Sequence, residues 1–233
     1  MSGALEQLRA FLAHPAPGLL FAPHERAGAP ERVYATPHEA GGTPSKKDLA
    51  TLAALTKANA ADLDGLVRTC TAMNGAAFCT LYEGTNDRDV PAVALLPIAD
   101  WDEATEPWVS GEMAEFMEGC EIYTRGTWRV IGVLPSERQN LVMFFDGEHE
   151  GQRLAGRMFC IGLDGYLGYE EPLAPSFDAF VSDLTSDPAA LLGRIGFGWH
   201  VTAKDGKTYG DPIEAYLADV RGHASLTTWA RKS

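Results

Sequence analysis

Apolar residues recur along this chain at two spacings, and each spacing predicts a type of secondary structure. Positions i, i+3, i+4 and i+7 form one stripe on a helix, whereas short apolar runs between turn residues favour strands. A shorter apolar series after Thr43-Pro44, a pair typical of a helix start, predicts a first helix with Leu49, Leu52 and Leu55 on its apolar side. Complete helical stripes are formed by Leu63, Leu66, Val67 and Cys70; by Phe177, Phe180, Val181 and Leu184; and by Ile213, Tyr216, Leu217 and Val220.

Apolar runs bounded by turn residues predict strands over 77–82, 90–98, 128–134, 141–145 and 157–163. The connections between most of these runs are too short for crossover helices, so the strands are expected to be antiparallel. The predicted fold is therefore α+β, with an antiparallel sheet covered by helices on one side. We expect an N-terminal arm over residues 1–43, the domain over 44–190, and a C-terminal helical extension over 191–233.

Charge is the strongest feature of the composition. The chain has 32 acidic and 19 basic residues, and residues 44–190 hold 24 of the acidic but only 10 of the basic ones. Such a surface repels phosphate backbones and anionic lipids and attracts basic partners. Nucleic acid and membrane are therefore not expected as ligands. The first 23 residues carry Glu6, Arg9 and three prolines, which argues against a secretory signal and favours a cytoplasmic location.

The sequence offers little support for catalysis or for a bound cofactor. The four cysteines lack a C-x-x-C spacing and lie in apolar runs, which is typical of reduced, packed thiols. The six histidines are scattered, and the glycines near residue 195 match no phosphate-binding motif. The segment from Asp146 to Glu150 could supply four metal ligands, but it lacks the register of a calcium loop and falls where a hairpin must turn. We expect no cofactor and no metal.

The run between residues 100 and 121 stands out because all of its charged residues are acidic. It can be the solvated face of an amphipathic helix, or a binding surface in which aromatic residues anchor a basic partner. On the second interpretation the contact residues are Trp101, Asp102, Glu103, Glu106 and Trp108, joined by Asp146, Glu148 and Glu150. The run has no basic residue and contains eight carboxylates: Asp100, Asp102, Glu103, Glu106, Glu112, Glu115, Glu118 and Glu121.

The order of these elements resembles the SUKH superfamily, the Smi/Knr-type domain known from fungal cell-wall regulators and bacterial polymorphic-toxin immunity proteins. The resemblance covers about residues 44–190. It is carried by the order and spacing of four short stretches: LVRTCTAMNGAAF; LLPIADW; NLVMFFDGEHEG followed by RMFCIGLDG; and LAPSFDAFVSDL.

The resemblance implies a non-catalytic protein-binding module, an immunity protein that neutralises a cognate toxin by covering its working surface. It also permits a regulatory scaffold in cell-envelope or signalling pathways. A third hypothesis, a hydrolase or transferase whose Asp, Glu and His side chains meet in space, would be favoured by a cleft with several perturbed titratable groups.

Overall fold

The computed structural model describes residues 3–13, 39–83, 88–111, 113–117, 119–133, 139–162, 171–186, 190–191 and 194. Six helices and eight strands lie in this part of the chain. The helices are α1 (Ala4–Ala13), α2 (Lys46–Thr56), α3 (Asp64–Ala72), α4 (Trp101–Val109), α5 (Ala114–Met117) and α6 (Phe177–Ser186). The strands are β1 (Glu39–Gly42), β2 (Asn74–Glu83), β3 (Arg88–Leu95), β4 (Trp128–Val133), β5 (Gln139–Phe144), β6 (Glu148–His149), β7 (Gln152–Arg153) and β8 (Met158–Gly162).

Six of the strands form one antiparallel sheet in the order β1-β2-β3-β4-β5-β8, and β6 and β7 form a small separate hairpin. Every pair of neighbours in the large sheet is antiparallel. The predicted α+β class with an antiparallel sheet is therefore confirmed. The β2–β3 hairpin and the β4-β5-β8 meander also lie where the apolar runs predicted them.

The larger apolar cluster lies between one face of the sheet and α1, α2, α3 and α6. Its strand residues include Phe78, Ile131 and Met143. The stripe predicted on α6 is buried, with Phe180 and Leu184 completely inaccessible to solvent. This burial confirms that the predicted stripe residues Phe177, Phe180 and Leu184 belong to the core.

The opposite face of the sheet is also covered, which corrects the expectation of helices on one side only. A second apolar cluster joins Val142 and Phe144 of β5 and Phe159 of β8 to residues of the segment 108–123. Successive residues of a strand point to opposite faces, so β5 and β8 are buried on both. The acidic segment therefore lies over a face of the sheet, and its apolar side chains complete a core.

The described parts of the predicted N-terminal arm, residues 3–13 and 39–43, contact the rest of the fold. Helix α1 buries Ala4 and Leu8 in the larger cluster, and the Asp178 carboxylate of α6 accepts a hydrogen bond of 3.1 Å from the Ala4 N–H. Strand β1 pairs with β2 at the edge of the sheet. A side chain at Gly41 would overlap the backbone of β2, so this edge needs glycine. The predicted boundary at residue 43 thus falls between β1, which pairs with β2, and α2.

The predicted C-terminal extension lies largely outside the described residues, as does the helix predicted after Asp211. Leu191 is described and is buried in the larger cluster. Cys70, Cys120 and Cys160 are buried, as expected, and burial raises the pKa of both Cys70 and Cys160 to about 12. No described helix combines the length and the apolar character that a membrane crossing requires.

A chain of hydrogen bonds connects the start of α2 to the sheet and to the segment before α4. Ser45, rather than Thr43, caps α2: its hydroxyl accepts from the Asp48 N–H, and the Asp48 carboxylate accepts from the Ser45 N–H at 2.7 Å. The same carboxylate accepts from the Asn74 amide, whose oxygen accepts from the Ile98 N–H at 2.9 Å. Asn74, the first residue of β2, therefore carries this connection.

Because of this network, the stability of the fold should depend on the ionisation of Asp48. The Ser45 backbone N–H, and then its hydroxyl, lower the pKa of Asp48 below its ordinary value of 3.8. A carboxyl with a lowered folded-state pKa stabilises the fold fully above its unfolded pKa and loses that contribution as pH falls through the folded one. Asp48→Asn should therefore be less stable than wild type at neutral pH, and the difference should shrink below pH 3.8.

Urea unfolding of both proteins across this pH range measures the effect. Glu171→Gln, which removes one exposed carboxyl elsewhere, is the control for the loss of a charge. A stability difference between Asp48→Asn and wild type that stays constant with pH would contradict the role given to the ionised carboxylate.

Candidate functional site

Helix α4 presents one buried and one exposed side, and a threonine fixes its orientation. Trp101, Thr105 and Trp108 are buried, at the i, i+4 and i+7 spacing of one helical stripe. The Thr105 hydroxyl donates to the Trp101 carbonyl at 2.5 Å and accepts from the Val130 N–H of β4 at 2.9 Å. A strand N–H is thereby paired with a helix side chain, so the two elements are held together directly.

The structure places Trp101, one of the predicted contact residues, in the core. Its side chain is 2% exposed, its indole N–H donates to the Leu96 carbonyl at 3.0 Å, and its ring centroid lies 5.9 Å from that of Phe145. A side chain enclosed in this way cannot reach a partner without local unfolding. The aromatic character of the run thus partly serves the core. Phe116 is another aromatic residue of this run, and its side chain lies outside the described part of the structure.

Asp102, Glu103 and Glu106 are exposed on the opposite side of α4 and, together with exposed Asp100, are here named the acidic face. Asp102 forms a salt bridge of 2.6 Å with Arg129 of β4. Within the described part of the chain, no basic side chain lies within ion-pair distance of the other three carboxylates. The acidic face therefore carries a net negative charge on a rigid helix.

The rest of the acidic run is less concentrated. Glu115 and Glu121 are exposed, and Glu121 forms an ion pair with Arg125 four residues further along. Glu112 and Glu118 lie outside the described residues. Pro107 lies inside α4, which ends two residues later at Val109. The described part of the run thus includes α4, the short α5 and the first residue of a 3-10 turn, Glu121–Thr124.

The predicted contact residues between 146 and 150 have different roles. The half-buried Asp146 is a structural residue, because its carboxylate accepts a hydrogen bond of 2.5 Å from the Thr127 N–H. Glu148 and Glu150 are exposed on the β6–β7 hairpin. Among the described residues, no group of three His, Cys, Asp or Glu side chains is placed to hold a metal ion. The segment forms a turn and a hairpin.

A surface cleft of about 380 Å³, here named the α4 cleft, lies beside the acidic face. The apolar part of its lining consists of Trp108, Val109, Ala114, Met117, Tyr123 and Trp128. Its polar part consists of Thr124, Gly126, Thr127 and Arg129. Since Asp102 pairs with Arg129 and Val109 belongs to α4, the cleft and the acidic face share an edge.

Val109 is the one large apolar side chain that is exposed in the described part of the chain, at 60%. It lies three residues after Glu106, the spacing at which helix side chains are neighbours. Of the two predicted aromatic anchors, Trp108 lines the cleft but is only 6% exposed. Sequence reasoning missed the cleft because its lining comes from two segments that meet only in the folded chain.

Among the described residues, the groups with a clearly shifted pKa lie away from the cleft. Asp48 caps α2, and the thiols of Cys70 and Cys160 belong to the larger apolar cluster. None of these three residues lines the α4 cleft. The lining offers aromatic surface, two threonines and one guanidinium paired with a carboxylate. Such an arrangement can bind by apolar contact and by charge.

Comparisons of the chain with known protein families, with curated proteins and with solved structures found no match.

Proposed function

We propose that this chain is a non-catalytic protein-binding module that recognises a basic partner protein through the acidic face and the α4 cleft. The observation that carries the proposal is the shared edge between the acidic face and a cleft bordered by the exposed Val109. Interfaces combine these parts, since apolar contact supplies affinity while charge supplies rate and specificity. The SUKH resemblance supports a more specific role, an immunity protein that neutralises a cognate toxin by covering its working surface.

The rigid placement of the acidic face supports this proposal. Thr105 holds α4 against β4, so the backbone that carries the carboxylates needs little ordering when a partner binds. Exposed salt bridges contribute little to stability, and the ion pair at Asp102 is therefore available for exchange with a partner. A nuclease or another protein with a basic working surface has the complementary charge.

A photo-crosslinking amino acid at position 109 tests the location of the interface. The same amino acid at position 53, where Ala53 is exposed on α2, is the control. Position 109 should crosslink one protein that position 53 does not, and equal yields at the two positions would contradict the proposed surface. If the crosslinked protein is toxic, co-expression with this chain should restore growth. A non-toxic partner would overturn the immunity role but leave the binding role.

Neutralising the acidic face should slow association with this partner. Because the carboxylates attract a basic surface before contact, Asp102→Asn, Glu103→Gln and Glu106→Gln together should lower the on-rate about tenfold at low salt, with a small change in the off-rate. The wild-type on-rate should itself fall steeply as salt screens these charges. Surface plasmon resonance at two ionic strengths measures both rates.

The control for this measurement removes the same number of charges from exposed positions outside the acidic face. It combines Glu6→Gln, Asp64→Asn and Glu171→Gln. This variant should associate at nearly the wild-type rate. A salt-independent wild-type on-rate, with equal rates for the two triple variants, would assign the acidic run to the solvated face of a helix.

A further inference from the structure

We infer that the α4 cleft receives one large apolar side chain of the partner, flanked in the partner's sequence by Lys or Arg. This inference rests on the proposed function and specifies the chemistry of the segment that the site recognises. A second copy of this chain and a small anionic ligand are the competing occupants.

The size and lining of the cleft admit a large apolar side chain. Its volume of about 380 Å³ lies at the lower end of the range of roughly 300–1,000 Å³ found for ligand pockets. Trp108, Tyr123 and Trp128 contribute to its lining, and Val109 extends the apolar surface outward from it. Aromatic and aliphatic residues that fill such pockets are the usual anchors of protein interfaces.

The charges around the cleft determine which residues of the partner can flank the inserted side chain. Arg129, the one Lys or Arg in the lining, is already paired with Asp102 and donates to the Trp128 carbonyl at 2.8 Å. On the adjoining side of α4, Glu103 and Glu106 lack basic partners among the described residues. The net field at the mouth is therefore negative, which disfavours an anionic ligand and favours neighbouring basic residues on the partner.

Two synthetic peptides with blocked ends, Lys-Arg-Trp-Arg-Lys and Lys-Arg-Ala-Arg-Lys, separate the apolar contact from the charge. On the wild-type protein, calorimetric titration should show that the tryptophan peptide binds about tenfold more tightly than the alanine peptide, because it alone fills the cleft. In the triple variant of the acidic face, both peptides should weaken by the same factor while their affinity ratio persists.

Two variants fill the cleft from different elements: Ala114→Phe in α5 and Thr124→Phe in the 3-10 turn. In each, the affinity ratio of the two peptides should fall to about one, while the alanine peptide binds as it does to wild type. Ala53→Phe, which adds the same ring at an exposed position of α2, is the matched control and should keep the ratio. Thr124 is exposed, so its variant tests the inference even if Ala114→Phe does not fold.

The outcomes distinguish this inference from the proposed function. Equal binding of both peptides to wild type, or an affinity ratio that survives in the folded cleft-filling variants, overturns the inference and leaves recognition by charge standing. Failure of both peptides to bind overturns both proposals. Sedimentation of wild type as a dimer that the Thr124→Phe variant cannot form would assign the cleft to a second copy and also overturn the inference.

Discussion

Replacing Phe180 by alanine should lower the free energy of unfolding by about 3–5 kcal/mol, the range for removing a buried aromatic side chain. The side chain is completely buried in the larger apolar cluster, where α6 packs against α1, α3 and the sheet. The substitution removes the favourable transfer free energy of the ring. It also leaves a cavity that the surrounding residues, which belong to several elements, cannot fill. Equilibrium unfolding in denaturant measures this loss.

Val109→Ala is the control for this experiment, because it shortens an apolar side chain that is 60% exposed. Its effect on stability should stay within about 0.5 kcal/mol, the usual range for surface substitutions. A loss below about 1 kcal/mol for Phe180→Ala would show that the α6 stripe is not packed as described. Comparison of the two variants separates the effect of burial on stability from the effect of removing apolar atoms.

Helices α3 and α6 of the larger cluster could be predicted because each presents a complete apolar stripe. In α3 and α6 the i, i+3, i+4, i+7 spacing located the elements, and in α6 it also identified the buried face correctly. The meander was predictable for a related reason, since its strands are apolar runs bounded by turn residues. Patterns of this kind act within a few residues and need no knowledge of distant contacts.

The N-terminal elements could not be placed in this way. Amphipathicity in α1 shows that one side must be buried, but it does not say against which part of the chain. Strand β1, with the sequence EAGG, has no apolar alternation, and its pairing depends on backbone hydrogen bonds and on the missing side chain of Gly41. Only the neighbouring strand, more than thirty residues away, makes it a strand.

The two-sided burial of the sheet had a signal in the sequence that the predictions did not use. The run LVMFF over residues 141–145, which begins in β5, is continuously apolar, a pattern typical of strands buried on both faces. The spacing of Trp101, Thr105 and Trp108 likewise indicates one helical side, so both tryptophans could have been assigned to the core. The Asp102–Arg129 pair, by contrast, joins residues 27 positions apart and could not be predicted from the sequence alone.

Replacing Gly147 by alanine should destabilise the fold by about 2–5 kcal/mol and should also distort the α4 cleft. Gly147 has φ +100°, outside the range that side chains favour, and a methyl group there would overlap the Arg125 carbonyl oxygen and the Gly126 backbone. Gly126 lines the cleft. Relief of the overlap must therefore move the segment that holds Thr127, whose N–H donates to Asp146.

Two other glycines separate the causes of this effect. Gly151 has φ +75° but open space around its missing side chain, so Gly151→Ala should show the cost of the dihedral alone, about 1 kcal/mol. Gly42 has open space and no positive φ, so Gly42→Ala should change stability by less than about 0.5 kcal/mol. Denaturant unfolding of the three variants gives the order of their stabilities, and the peptide titrations show whether the cleft is altered.

Because only Gly147 combines strain with overlap beside the cleft, its variant alone should lose the preference for the tryptophan peptide. An equal loss of stability at Gly147 and Gly151 would show that the close approach between residues 125–126 and 147 does not hold the cleft in place.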